Sequence, residues 1–382
     1  MSNTGEAPTV KAGLEDVVAT TSAICFIDGE HGVLSYRGFD IHDLAARASF
    51  EEVCFLLWYG HLPNRDELGT LESQLAEWRV LPEHILRLMR LLPPGNSMDS
   101  LRTLTSALAH SDPDAAYNSP EANARKAIRL TAQLATLVAT YGRFTEGGAL
   151  IDPDPSLGHA GNFLFVLTGE RPDAVATRAF NVALVLHADH ELNASTFAAR
   201  VAAATLTDVH SAVVAGIGAL KGPLHGGANA DVMRLLLELG DQADLSQIET
   251  TIHDKLARKE KIPGFGHRVY RTEDPRATHL RRMSEELGTR SGQKQWYEMS
   301  RQIEVLVGHA KGLNPNVDFY SASTYYTLGI KVDLFTPVFA VSRVAGWTAH
   351  ILEQYANNRL IRPRADYTGQ RHPKAFVAID QR

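Results

Sequence analysis

The sequence predicts a mainly α-helical fold with a short N-terminal β-hairpin, and three observations lead there. Apolar residues return at three- and four-residue intervals along most of the 382 residues. Period-two alternation is confined to one early stretch, "AICFIDGEHGVLSYRGFDI", where apolar residues flank Asp28-Gly29. Helix-start and helix-stop residues stand at the ends of the periodic runs, as with Ser49 and Glu52 at capping-box spacing before Gly60.

In chain order, the hairpin is followed by "SFEEVCFLLWYG", a helix capped at Ser49 and closed at Gly60. The runs "DELGTLESQLAEWRV", "EHILRLMRLL" and "ANARKAIRLTAQLATLVATYGRF" each carry an apolar stripe and read as helices. "DAVATRAFNVALVLHADHEL" reads as a further helix that continues into "HADHELNAST", which puts His187 and His190 on one face. A tight turn around "GPLHGG" leads into a helix from about Ala228. Late in the chain, "FTPVFAVSRVAGWTAHILEQYANN" has Thr336 as the expected N-cap and Pro337 at the first helical position. The segment "GIGALKG" has the wrong glycine spacing for a dinucleotide loop and ends a helix instead of following a strand. No internal repeat or low-complexity linker stands out.

Composition narrows the function classes. The chain has 38 Lys and Arg against 44 Asp and Glu, a net charge of -6, which argues against general nucleic-acid binding. No apolar run reaches the roughly 20 residues of a membrane helix. The start lacks a basic patch followed by an apolar segment, so no signal peptide is expected. Two cysteines, Cys25 and Cys54, give neither a disulfide framework nor a metal cluster, and a cytoplasmic location is expected. Sixteen histidines point instead to proton exchange near neutral pH.

Local charge and backbone freedom mark the candidate site. From His253 to Arg271 six basic residues (Lys255, Arg258, Lys259, Lys261, Arg268, Arg271) face two acids, Asp254 and Glu260. That run is either a solvated helix face or a seat for a polyanion, and Gly264 and Gly266 favour close backbone approach to a ligand. His187 and His190, with Glu191, are open to three readings: core histidines, a metal site or an anion site. His225 stands between Gly222-Pro223 and Gly226-Gly227. Either it caps the turn, or it is a neutral imidazole at a helix N-terminus that donates to a developing oxyanion. In "GFGHRVYRTEDPRA", His267 precedes Arg271 and Arg276, with Pro275 expected to hold Arg276 in a stiff turn. Asp318 lies between Val317 and Phe319, which raises its pKa if buried and suits a general base, with an N-cap role as the other reading. Arg343 sits inside an apolar helix, where a buried guanidinium requires an anionic partner. Arg362 precedes Pro363 in an extended stretch.

Together "GPLHGGAN", "GFGHRVYRTEDPRA", "NVDFYS" and "FTPVFAVSRVAGW" occur in the order and at the spacing of the citrate synthase family, which the chain resembles. "HADHELNASTF", "IRPRADYTG" and "FIDGEHGVLSYRG" extend the resemblance over nearly the whole chain. It implies a two-domain helical fold, with a large domain over 1–225 and 329–382 and a small domain over 226–328. It implies that acetyl-CoA and oxaloacetate condense to citrate, with no cofactor and no metal. By the same resemblance, His225, His267 and Asp318 are catalytic: His225 hydrogen-bonds the thioester oxygen, Asp318 removes the methyl proton and His267 polarises the ketone. His190, Arg276, Arg343 and Arg362 would bind oxaloacetate and citrate, Arg362 from the other subunit of a homodimer. Arg271 would bind a coenzyme A phosphate, and Lys261, Ile262, Pro263, Gly264, Phe265 and Gly266 would wall the adenine and pantetheine. The chain begins close to the hairpin, which leads to the expectation of a dimer without an extra N-terminal domain. The nearest alternative is a 2-methylcitrate synthase using propionyl-CoA. A non-catalytic anion-binding protein and a histidine metalloprotein are the readings from other classes.

Overall fold

The computed structural model describes residues 11–14, 17–370 and 374–382. Its only sheet among these residues is three-stranded, antiparallel and ordered β1 (Cys25–Asp28), β2 (Val33–Tyr36), β3 (Phe39–Asp40), with Cys25 opposite Tyr36 and Asp28 opposite Val33. The expected hairpin is therefore present and gains a short third strand. Helices follow: α1 (Ile41–Arg47), α2 (Phe50–Tyr59), α3 (Arg65–Glu77), α4 (Glu83–Leu91), α5 (Ser97–Leu108), α6 (Pro120–Thr145), α7 (His159–Thr168) and α8 (Ala174–His187). After these come α9 (Ala194–Ala203), α10 (Val209–Leu220), α11 (Ala228–Leu239), α12 (Leu245–Ala257), α13 (Pro275–Ser291), α14 (Gln295–Lys311), α15 (Val317–Thr327) and α16 (Phe335–Ala356).

Local chemistry accounts for most of these boundaries. Ser49 Oγ accepts from the Glu52 amide at 3.1 Å and Glu52 Oε2 accepts from the Ser49 amide at 2.7 Å, a reciprocal capping box. Gly60 ends the same helix at φ +84, a left-handed position that a Cβ would strain. Ser119 caps α6, with Pro120 at its first position. The long helices α6 and α16 are buried over most of their length and pack on each other, forming the centre of the core. Beside them α11 to α15 pack chiefly on one another, and α13, α11 and α15 make contacts back to α8, α1 and α16.

Two boundaries differ from the sequence reading. Helix α16 begins at Phe335, directly after a 3-10 turn over Val332–Leu334, so Thr336 lies inside the first turn. Its hydroxyl donates instead to the Gly226 carbonyl at 2.9 Å, which anchors the turn after His225. Helix α8 stops at His187, so His187 and His190 do not share a helical face. The stop is tertiary: the Gly346 amide of α16 donates to the Ala188 carbonyl, and a Cβ on Gly346 would stand 2.4 Å from that oxygen. No helix among the described residues is long and apolar enough to cross a membrane. Both cysteines are free.

Candidate active site

Five segments meet at a cavity of about 600 Å³, and they bring together His190, His225, His267, Arg276, Asp318 and Arg343. His190 comes from the loop after α8. Tyr36 of β2 fixes that loop: its hydroxyl donates to the Asp189 carbonyl at 2.9 Å. His225 comes from the turn between α10 and α11. His267 comes from the loop before α13, and the hairpin turn braces that loop. The Arg271 amide donates to the Gly29 carbonyl at 2.9 Å, and a Cβ on Gly29 would fall 2.2 Å from Val269 O. Arg276 and Asp318 stand in the first turns of α13 and α15, and Arg343 projects from the middle of α16.

The hydrogen bonds fix the tautomers of two histidines. The Ser195 backbone amide donates to His225 Nε2 at 3.3 Å, and the Ser195 hydroxyl lies 2.8 Å from the same nitrogen. An amide only donates, so Nε2 is the acceptor and the proton of the neutral ring sits on Nδ1. Ser195 is itself in the first turn of α9, so the positive end of that helix faces His225 and disfavours a second proton. Burial, with Arg343 adding to it, pushes the His225 pKa down to about 4. His267 Nδ1 accepts from the Val269 and Tyr270 amides at 3.0 and 3.2 Å, which leaves Nε2–H as its donor. Burial and then Arg276 push it down to about 4 against the pull of Asp274. His190 is buried, with Nε2 3.1 Å from the Tyr270 hydroxyl, and its ring stands edge-on to that of His267 at 5.3 Å. Burial, Arg276 and His267 hold it well below the ordinary histidine range. At neutral pH all three are uncharged donors or acceptors.

Burial acts on Asp318 in the opposite sense and lifts it to about 6; Asp274 assists, while Arg276, Arg343 and Lys261 oppose. Arg276 is buried and paired bidentately with Asp274, Nε at 2.9 Å and Nη2 at 2.8 Å. Burial disfavours its charge, but Asp274 outweighs this and holds the guanidinium above its ordinary value. Arg343 is buried too. Its Nε donates to the His187 carbonyl at 2.7 Å, and its guanidinium lies 4.7 Å from the Phe339 ring centre. Two permanent cations in an enclosed site are suited to a dicarboxylate.

Glu191 and Arg268 also line the cavity, whereas Arg271, Arg362 and the 261–266 segment lie outside it. Arg271 is exposed, with Nε 3.9 Å from Glu30. Arg362 is exposed in the extended segment after α16. Lys261 is exposed, whereas Ile262, Gly264 and Phe265 are buried, Phe265 against Phe319 at 4.6 Å between ring centres. Pro263 and Gly266 are partly buried. Pro275 does not hold Arg276 in a turn; it opens α13, capped by Asp274. Among the described residues no three His, Cys, Asp or Glu side chains gather so as to hold a metal ion. Sequence reasoning missed Asp274, Ser195 and Tyr270. Asp274 was readable, since an aspartate directly before Pro275 is an N-cap signature. Ser195 and Tyr270 carry no local signal, because their partners lie 30 and 80 residues away.

A mostly helical protein whose cavity joins a carboxylate of raised pKa, two neutral imidazole donors and two buried arginines has the groups of an enzyme that removes a proton beside a carbonyl. Residues 13–364 match the family described as "Citrate synthase, C-terminal domain", and the chain belongs to the citrate synthase family. It is 54% identical to "Citrate synthase 2" of Bacillus subtilis over 98% of this chain and 100% of that one. It is 44% identical to a 2-methylcitrate synthase of Mycobacterium tuberculosis over 95% of this chain and 92% of that one. A citrate synthase of Thermoplasma acidophilum, solved as a ternary complex with carboxymethyl coenzyme A and oxaloacetate, superposes with a TM-score of 0.92 at 32% identity. That match covers 98% of this chain and 100% of the other.

Proposed function

We propose that the chain condenses acetyl-CoA with oxaloacetate and hydrolyses the citryl thioester to citrate and coenzyme A, the entry step of the tricarboxylic acid cycle, in the cytoplasm. The observation that carries this reading is the meeting of His225, His267 and Asp318 with Arg276 and Arg343 in one cavity. Arg276, Arg343 and His190 bind the carboxylates of oxaloacetate. Asp318 takes a proton from the acetyl methyl group while His225 Nδ1–H donates to the thioester oxygen, so the enol forms without a free enolate. The enol carbon attacks the ketone, polarised by His267 Nε2–H, and water then cleaves the thioester. Acetyl-CoA is a substrate, and the steps call on no resident cofactor.

In this reading residues 226–328 form the smaller, moving domain. Its closure brings Arg271 and the 261–266 segment to coenzyme A. Arg362 reaches the site of a second subunit in a homodimer; a hexamer in light scattering would speak against that arrangement. The test of the reaction is thiol release on mixing the two substrates. Asp318→Asn lowers turnover about 10²–10⁴-fold, the range for removing a positioned base, while oxaloacetate still binds. Near-normal turnover in that variant would show the base to be another group. The second reading, propionyl-CoA as acyl donor, is favoured by the similarity to a 2-methylcitrate synthase. A higher kcat/KM with propionyl-CoA than with acetyl-CoA would reverse the order of the two.

A further inference from the structure

We propose that Asn316 is a positioning residue that sets the distance between Asp318 and His267, through the two ends of its side-chain amide. Its Oδ1 accepts from the Asp318 backbone amide at 3.0 Å, capping α15. Its Nδ2 donates to the Gly266 carbonyl at 2.9 Å. That carbonyl belongs to the peptide joining Gly266 to His267. One planar amide therefore holds the backbone of the base at one end and the backbone of the ketone-polarising histidine at the other. Among the described residues no other side chain bonds both backbones.

The surroundings make this link stiff. The Asn316 amide donates to the Gly264 carbonyl at 2.9 Å, and the Gly266 amide donates to the Asn314 carbonyl at 3.0 Å. Phe265 and Pro315 form a β-bridge between these bonds. Gly264 and Gly266 both have positive φ, +81 and +74, so the strip turns sharply on either side of Phe265. The backbone bonds hold the strip to 314–316. Of these bonds only that of Nδ2 reaches the peptide that joins Gly266 to His267. A displacement of about 1 Å between reacting groups costs on the order of 10²-fold in rate, so a single fixed amide at this point matters for the chemistry.

The inference rests on the roles given above to Asp318 and His267, and it predicts that two partial reactions separate. Proton removal needs Asp318 and His225; bond formation needs His267 as well. Asn316→Ser and Asn316→Asp both keep an acceptor for the α15 cap, where Asn, Asp and Ser are about equal, and both lose the donor to Gly266. Each variant is compared with the unaltered protein in three measurements: thermal melting, thiol release with acetyl-CoA and oxaloacetate, and exchange of acetyl-CoA methyl protons in D₂O. The exchange is run with a dicarboxylate that lacks the keto group. The expected result is a melting temperature and an exchange rate near those of the unaltered protein, with condensation reduced at least tenfold. Asp, which sets a carboxylate against the Gly266 oxygen, should be the worse of the two. Condensation within twofold of normal in either folded variant overturns the proposal. So does a parallel fall in exchange, condensation and melting temperature, which is the signature of a cap alone. Failure of the unaltered protein to release thiol refutes the parent reading, and this one with it.

Discussion

Replacing Asp274 with Asn probes the site through one atom-for-atom change. Asp274 is 1% exposed, and its two oxygens serve four donors. Oδ1 accepts from the Arg276 amide at 3.1 Å and from Arg276 Nε at 2.9 Å; Oδ2 accepts from Arg276 Nη2 at 2.8 Å and from the Val317 amide at 3.0 Å. One carboxylate thus caps α13, neutralises Arg276 and holds the first residue of α15 next to Asp318. An Asn amide has one acceptor oxygen. Whichever way it turns, its NH₂ faces two other donors, and the Arg276 charge is left without a counter-ion. Removing one partner of a buried ion pair costs about 3–5 kcal/mol, a large share of the roughly 5–15 kcal/mol that a folded protein has.

The same change moves the chemistry in a stated direction. Asp274 raises the pKa of Asp318 and Arg276 lowers it, so losing the first and unmasking the second both shift Asp318 below about 6. The acid limb of kcat should therefore move to lower pH. KM for oxaloacetate should rise, because Arg276 loses the partner that aims it. Urea denaturation gives the stability loss, and initial rates across pH 5 to 8 give the limb. A loss below about 1 kcal/mol with an unshifted limb and unchanged KM would refute the account of Asp274 as counter-ion and helix cap.

Further expectations follow from the same geometry. In the unaltered protein the acid limb of kcat/KM for oxaloacetate, which reports the free enzyme, should fall near pH 6, where Asp318 takes up its proton, and not near pH 4, where His225 and His267 would charge. Stability should drop as pH falls from about 6.5 towards 4. His159 and His187 at about 3, and His225 and His267 at about 4, stay neutral when folded but charge in the unfolded chain, which then binds more protons. Asp318, raised to about 6, has the opposite slope and offsets part of this between about 3.8 and 6; a pH series of thermal melts that rises on acidification would contradict the balance. Gly264→Ala should cost at least about 2 kcal/mol. The residue sits at φ +81, and a Cβ there would stand 2.8 Å from Phe319 Cδ2 and 2.8 Å from Val232 Cγ2; a wild-type urea midpoint would contradict that.

What could be read from sequence divides along the range of the interaction. Ser49, Glu52 and Gly60 were legible because cap, box and stop are settled within one helix. The family order of "GPLHGGAN", "GFGHRVYRTEDPRA" and "NVDFYS" was legible because each motif keeps its own spacing. Thr336 was misread because Pro337 fits a first helical position, whereas the preceding 3-10 turn brings the chain into α16 two residues earlier. The run into "HADHEL" was misread because propensity carries the helix on; the Gly346–Ala188 contact that stops it joins residues 158 apart in sequence. Arg271 stands outside the cavity for a related reason, since its loop is docked on the hairpin turn through the Gly29 carbonyl, more than 200 residues away in sequence.

One physical cause, burial, sets both halves of the electrostatic design. It pushes His190, His225 and His267 down and Asp318 up, so neutral imidazoles and an easily protonated carboxylate share the space. The arginines stay charged in the same environment because a guanidinium keeps its proton far above neutral pH. Asp274 is committed to Arg276, while the bond of Arg343 is to the neutral His187 carbonyl. Arg343 therefore keeps its charge for a ligand carboxylate, which an uncharged acyl thioester does not offer. Two carboxylates arriving beside Arg276 and Arg343 cancel the charges that lower Asp318, and its pKa climbs further. A carboxylate of higher pKa is a stronger base toward a methyl proton. In the proposed reaction the first substrate thus does more than occupy the site, because its charge prepares the carboxylate assigned as base for the second.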